Sequence, residues 1–196
     1  RILRIHHGVE NPSFAQIRDF YNENLHPDKI NLDDSDVWKN VFHEGKWAGI
    51  FQFTETGAQT FCKNAKPDNI TDLAAITSIY RPGPLSAGVD KMYVGAKNAP
   101  TEVEYLNSVV REVTEETYGF LIFQEQIALL AHKLGKNLSL DEGNKLRKLL
   151  TKKGTGSAAE EKEKIYSKFK EGCLEKGMPR HEIRELWNKF EYFSGY

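Results

Sequence analysis

The stretch NITDLAAITSIYRPGPLSAG, Asn69 to Gly88, decides how the chain is read. Asn69 stands three residues before Asp72, an Asx-type start for a helix. That helix runs straight into Arg81-Pro82-Gly83-Pro84. A residue before proline is pushed out of the helical region, so Arg81 is expected just past the helix end in an extended conformation. The two prolines fix φ and remove backbone donors, so the turn cannot melt into the preceding helix. A helix ending on an arginine held by a stiff turn is the frame for the rest.

Outward from this stretch the pattern is helical. RILRIHHG reads as the end of a helix stopped at Gly8. NPSFAQIRDFYNEN spaces Phe14, Ile17, Phe20 and Tyr21 helically, with Pro12 suited to the first turn. SDVWKNVFHEG predicts a short helix ending at Gly45, and ETGAQTFCKNAK another that stops at Pro67. GVDKMYVGAKNAP is weakly helical, and EVEYLNSVVREVTEETYG helical in part. QEQIALLAHKLG puts Ile127, Leu130, Ala131 and Leu134 on one face, and SLDEGNKLRKLLTKK opens with a capping box from Ser139 to Glu142. GTGSAAE reads as a flexible joint before two last helices, the second begun by Pro179. Two short apolar runs, WAGIFQF (Trp47–Phe53) and FLIF (Phe120–Phe123), read as strands. The expected fold class is mainly α with a few short strands, an α+β chain.

The 196 residues are 39% apolar, enough for a real core, and the net charge is −1. The chain is therefore no polycation, and any nucleic-acid or nucleotide site must be a local patch. Two cysteines far apart, Cys62 and Cys173, give neither a disulfide framework nor a zinc motif. They suit a reducing, cytoplasmic location. No run of eighteen apolar residues predicts a membrane span. The first residues lack the apolar core and cleavage site of a signal peptide, and they read like a sequence entered partway through a helix.

The sharpest local signal is NKLRKLLTKK. At 100° per residue Leu146, Leu149 and Leu150 share one arc, with Lys145, Arg147, Lys148 and Lys152 spread over the other side. Between Asn144 and Ser157 there are five cations, counting Lys153, and no acid. One reading is a solvated helix face. The other is a phosphate-binding surface, for which Arg offers a planar fork that grips two oxygens at once. The following KKGTGS has the wrong spacing for a Walker A loop. Gln124, Glu125 and Gln126 stand at a predicted strand-to-helix junction, where they either face a ligand or simply occupy a helix's first turn. The six histidines show no paired metal spacing, and Asp33, Asp34 and Asp36 precede a helix as caps do.

Several of these stretches together resemble one family, the alpha subunit of bacterial DNA polymerase III, the C-family replicative polymerases. GIFQFTETG resembles its G-[VI]-F-Q-[LF]-E-S-x-G, and DLAAITSIYRPGP its D-[IL]-x-A-[LI]-x-[AS]-[LI]-[YF]-R-P-G-P. TYGFLIFQEQI resembles T-Y-G-[IV]-x-[VLI]-Y-Q-E-Q-[VI], LRKLLTKK resembles L-R-R-A-M-G-K-K, and FEYFSGY resembles F-A-G-Y. The order and spacing agree from about Gly49 to Tyr196.

The resemblance implies that residues 49–196 form the helical fingers, truncated at the C-terminus, and that residues 1–48 are a helical segment linking the palm to them. The fingers face the incoming deoxynucleoside triphosphate and the primer-template DNA. Arg147 then falls on the triphosphate. Lys148 replaces an arginine and keeps charge but not the fork. Lys152, Lys153, Arg81, Gln124, Glu125 and Gln126 complete the nucleotide set, with Phe123 in place of a tyrosine. Lys145 and Tyr80 are expected on DNA. The family's metal-binding aspartates belong to the palm, so Mg2+ is expected there, with no catalytic residue and no metal in this chain, which alone should not polymerise. Palm and thumb become its partners. The competing expectation is a helical nucleic-acid-binding or interaction module descended from a polymerase but no longer part of one.

Overall fold

The computed structural model describes residues 1–150 and 156–193. The backbone divides into two compact units, Arg1–Ser35 and Asp36–Tyr196. The first holds α1 (Ile2–His6) and α2 (Phe14–Asn24). Gly8 stops α1 at a φ of +66°, as its position predicts. α2 is capped by Ser13, whose hydroxyl accepts from the Gln16 amide while the Gln16 side chain accepts from Ser13 N. Pro12 thus lies just ahead of the cap rather than in the first turn.

The short helix α3 (Ser35–Val37) starts on the last residue of the first unit and leads, inside the second, into a π-helical turn over Trp38–His43. Four helices follow: α4 (Thr56–Ala65), α5 (Ile70–Ile79), α6 (Pro82–Ser86) and α7 (Val89–Asn98). They share a core of Trp38, Phe42, Phe53, Phe61, Ile76 and Tyr93. A second core collects Leu130, Leu134, Leu146, Phe169, Leu186 and Phe190. It is enclosed by α8 (Ser108–Thr114), α9 (Gln124–Leu134), α10 (Leu140–Leu150), α11 (Ser157–Glu175) and α12 (Arg180–Phe193). The helices of this second core approach at backbone distance. A Cβ at Gly143 would fall 2.5 Å from the Ala128 carbonyl oxygen, and one at Gly172 2.3 Å from that of Leu134. Only glycine fits either crossing.

The predicted strands are not strands; among the described residues there is no β structure. Trp47–Phe53 is two tight turns, closed by Ile50 N to Trp47 O (3.0 Å) and Phe53 N to Ile50 O (3.4 Å). Gly49 and Gln52 have φ of +80° and +65°, and the turns stack the Trp47 and Phe53 rings 5.4 Å apart. Trp47, Ile50 and Phe53 pack into the first core from a folded-back loop, while Phe51 is exposed. Phe120–Phe123 is extended and alternates over its first three residues only. Leu121 belongs to the second core, while Phe120, Ile122 and Phe123 pack against the first. Among the described residues no neighbouring strand takes up its hydrogen bonds. The predicted stiff turn also resolves further. Arg81 is extended (φ −136°, ψ 154°), and the prolines that follow form the first turn of α6, where a missing N–H costs nothing.

One buried carboxylate organises the first core. Asp72, 1% exposed, lies in the first turn of α5. Its backbone N–H donates to the Asn69 cap (2.8 Å), as the sequence predicts. Its carboxylate accepts from the Tyr93 and Tyr118 hydroxyls (3.2 Å each), the Asp68 amide (3.1 Å) and the Lys97 ammonium (3.0 Å). Lys97 also meets Asp68 at 2.8 Å. Burial lowers the Lys97 pKa, but the hydrogen bonds to Asp68 and Asp72 outweigh it and hold the ammonium well above the ordinary lysine range. Burial, then the Asp72 charge, pushes both tyrosines up, so they remain donors. The carboxylate is expensive to bury and satisfied only because α5, α7 and the Tyr118 turn all reach it.

Two outcomes are expected. Asp72→Ala leaves a desolvated ammonium facing Asp68 alone and costs about 3–5 kcal/mol of stability, read as a lower urea midpoint, with Asp72→Asn/Lys97→Met recovering part of it. The thiols of Cys62 and Cys173, both 0% exposed, are pushed up to about 12 by burial. The unfolded chain releases these protons from about pH 8.5 upward while the folded chain keeps them, so their stabilising contribution falls as pH rises through that window. The urea midpoint should drop between about pH 8 and 9.5, less steeply in Cys62→Ala/Cys173→Ala, and iodoacetamide should label neither thiol until urea is added.

Candidate functional site

α5 ends and α9 begins on opposite walls of one cleft of about 230 Å3. Ser78 and Arg81 line it from the α5 side, and Phe123, Gln124 and Glu125 from the α9 side, with Pro84 of α6 between. Two stretches more than forty residues apart, the R-P-G-P turn and the Q-E-Q segment, thus face the same space. Arg81, Gln124 and Glu125 are all exposed there. The first turn of α9 turns the positive end of its helix dipole toward the cleft.

Arg147 of α10 does not line the cleft but reaches Glu125, which does. Its Nη1 donates to Glu125 Oε1 at 2.9 Å. The Arg147 side chain is 24% exposed and the Glu125 side chain 71%. The Arg147 Nε–H is buried and meets no protein acceptor. A buried donor without an acceptor is uncommon and calls for an explanation. The leucine arc of α10 is confirmed: Leu146 and Leu150 are buried and Leu149 packs against the same core. The run of cations is less bare than its local sequence suggests. Lys145 pairs with Glu161 of α11, and Arg147 with Glu125 of α9. Lys148 is exposed. Lys152, Lys153, the first two residues of the predicted joint (Gly154 and Thr155) and the final Ser194–Tyr196 lie outside the described residues. The rest of that joint is not a flexible linker: Gly156 is a turn and Ser157–Glu160 open α11, where Ala158, Ala159 and Glu160 are good helix formers.

Gln126 is placed differently from its two neighbours. It is 6% exposed and its amide is committed to the protein. The carbonyl accepts from Ile122 N (2.8 Å) and Phe123 N (2.9 Å). The amide nitrogen donates to Val113 O (3.1 Å) and Thr117 Oγ1 (2.8 Å). This side chain takes up the hydrogen bonds that a neighbouring strand would have given the extended Phe120–Phe123 segment. It holds the wall of the cleft rather than facing it.

Tyr80 is half-buried, and its hydroxyl donates to Glu55 at 3.3 Å. With Arg81, Gln52 and Thr77 it lines a second cleft of about 540 Å3 on the other side of the turn. Two contributors escaped sequence reasoning. Ser78 looked like helix interior. Gln52 sat inside a supposed strand; the Gly49 in that run was the available signal of a turn. Among the described residues no group of three His, Cys, Asp or Glu side chains converges as a metal centre would need, and no helix is long and apolar enough to cross a membrane.

Helices packed around two cores, with Arg81 and Glu125 lining a cleft at a helix N-terminus, define an α-helical domain. Comparison with known proteins gives the family. Residues 11–173 match the bacterial DNA polymerase III alpha subunit finger domain, and the chain belongs to that family. It is 36% identical over 168 residues to the DNA polymerase III subunit alpha of Aquifex aeolicus, covering 86% of this chain and 14% of that protein. The corresponding subunit of Campylobacter jejuni is 29% identical over 188 residues, 96% of this chain and 15% of the relative. That of Staphylococcus aureus is 29% identical over all 196 residues, 17% of the relative. The chain therefore spans about one-seventh of the length of the first two relatives.

The Gln126 arrangement is testable. Gln126→Leu strands the Ile122 and Phe123 amides in a half-buried segment and should lower stability by about 1–3 kcal/mol. Amide exchange at Ile122 and Phe123 should accelerate more than at the α9 interior.

Proposed function

We propose that this chain is the fingers portion of a replicative DNA polymerase and that its arginine-lined cleft receives the triphosphate of the incoming deoxynucleotide. The observation that carries the reading is the meeting of Arg81, Gln124 and Glu125 in one cleft, with Arg147 bound to Glu125 at its edge. Arg147 supplies a planar fork for two phosphate oxygens and Arg81 a second cation from the facing wall. Gln124 offers an amide donor beside the positive end of α9. Lys148 adds a further cation on α10, and Lys152 and Lys153, the next cations in sequence, are assigned to the same nucleotide set.

Lys145 and Tyr80 stand apart from this cleft and are assigned to the primer-template. Lys145 is a salt-screened phosphate contact. Tyr80 lines the second cleft, where a base would pack against its ring.

The described residues do not fit a Mg2+ centre. The ions of phosphoryl transfer belong to the palm of the longer polypeptide, and the fingers contribute position and charge neutralisation. On this reading the isolated chain does not polymerise without the palm. Its partners are the palm and thumb, the deoxynucleoside triphosphate and DNA, in the cytoplasm where replication runs.

In the polymerase that carries this segment, Arg147→Ala should reduce kcat/KM for nucleotide by about 10–100-fold, the loss of one charge-assisted contact. Primer-template affinity should change less than about twofold, because a phosphate-tail contact is not a duplex contact. Unchanged nucleotide kinetics would refute the assignment of Arg147, and a matching loss of DNA affinity would move it to the DNA instead.

A further inference from the structure

We propose that Glu125 is an internal competitor for the phosphate ligand. Its carboxylate occupies Arg147 until a polyphosphate of higher charge displaces it. The proposal rests on the phosphate reading of the cleft given above.

Three observations carry it. First, the contact is of the kind a phosphate would make: a carboxylate oxygen 2.9 Å from a guanidinium nitrogen, Arg147 Nη1. Carboxylate and phosphate oxygens offer Arg the same acceptor geometry. Second, the two partners differ in exposure. Glu125 is 71% exposed and Arg147 only 24%. An exposed carboxylate gains little from such a pair and can rotate into water at small cost. The guanidinium stays where it is, largely desolvated already. Third, the Arg147 Nε–H is buried and finds no protein acceptor. Separately from that buried edge, the Glu125 contact is one oxygen on Nη1, and a ligand bringing two or more oxygens can span Nη1 and Nη2 together, a contact that this carboxylate geometry does not make. Glu125 lines the cleft itself, so the displaced carboxylate and the arriving phosphate compete for one space.

The consequence is a charge threshold. A weakly charged anion does not repay the lost Glu125 contact, whereas a triphosphate does. When the tail is cut and leaves, the carboxylate can return to Arg147 and hasten release. The same carboxylate keeps a lone guanidinium from remaining unpaired beside an apolar wall.

The test uses inorganic tripolyphosphate, which carries phosphate contacts without base or sugar. Its binding to this chain is titrated calorimetrically at constant ionic strength. Glu125→Gln should tighten binding by about tenfold, the scale of one displaced charge-assisted contact. Arg147→Gln should weaken binding, and Glu125→Gln should bring no gain in the Arg147→Gln background, since the gain comes only through the arginine. Glu161→Gln removes an equal charge from the partner of Lys145 and should leave tripolyphosphate binding within about twofold, as a screened surface charge does. Competition is overturned if Glu125→Gln binds no tighter than the parent, if its gain persists without Arg147, or if Glu161→Gln gains as much. The underlying phosphate reading fails separately. It falls if Arg147→Gln binds as the parent does, or if neither the parent nor Glu125→Gln binds tripolyphosphate.

Discussion

Everything near the cleft hangs on one buried carboxylate. Asp72 draws Tyr93 and Lys97 of α7 and Tyr118 of the turn before α9 to the start of α5. A charge at 1% exposure is tolerated only when all its acceptor positions are used. Losing any one of the three contributing segments would leave that charge short of partners. The requirement couples the elements: α5 cannot shift without α7, and neither can shift without Tyr118. Tyr118 itself adopts a φ of +53°, a conformation a bulky residue takes only when its surroundings impose it. The hydroxyl bond to Asp72 and the Lys97 ammonium 5.7 Å from the ring centre are those surroundings.

From that anchor the chain reaches the cleft along two routes. α5 rises ten residues from its Asn69 cap to Tyr80 and sets Arg81 at one wall. From Tyr118 the extended Phe120–Phe123 segment, pinned by Gln126, delivers Gln124 and Glu125 to the other wall. The segment separates the two cores and contributes side chains to both. The site is therefore placed by a buried ion pair and a buried amide, with packing filling the space between. Polar groups with fixed partners give a specific geometry that apolar contacts alone would leave looser.

The electrostatics follow the same logic of mutual satisfaction. The cations of α10 are answered by acids on other helices: Glu161 for Lys145 and Glu125 for Arg147. Lys168 of α11 likewise meets Glu142, and this contact first, with the Ser139 amide after it, holds the Glu142 carboxyl below the usual range. A chain of net charge −1 can thus present local cations beside a cleft without a broad basic surface. Its positive charge is local and partly masked, and the mask is a side chain in the cleft.

Read by itself, the amino-acid sequence determined the helices and their caps. Asn69, the Ser139–Glu142 box, Gly8 and the Arg81-Pro82 boundary all act within one or two turns of the backbone, so local rules suffice to place them. Family motifs in order also determined which domain this is. The structure alone decided the two supposed strands, because alternation and apolar content describe what a segment packs against, not what its amides bind. In Phe120–Phe123 the partner was the Gln126 side chain; in Trp47–Phe53 the backbone closed on itself. Tertiary structure also separated Gln126 from Gln124 and Glu125, which adjoin it in sequence. At the start of a helix, successive residues point about 100° apart, so one turned into the core and two faced the cleft. The meeting of Arg147 with Glu125 across 22 positions, and of Asp72 with Tyr118 across 46, had no signal in local spacing. Such pairs exist only once the helices have packed, since their energy comes from shared burial and not from sequence proximity.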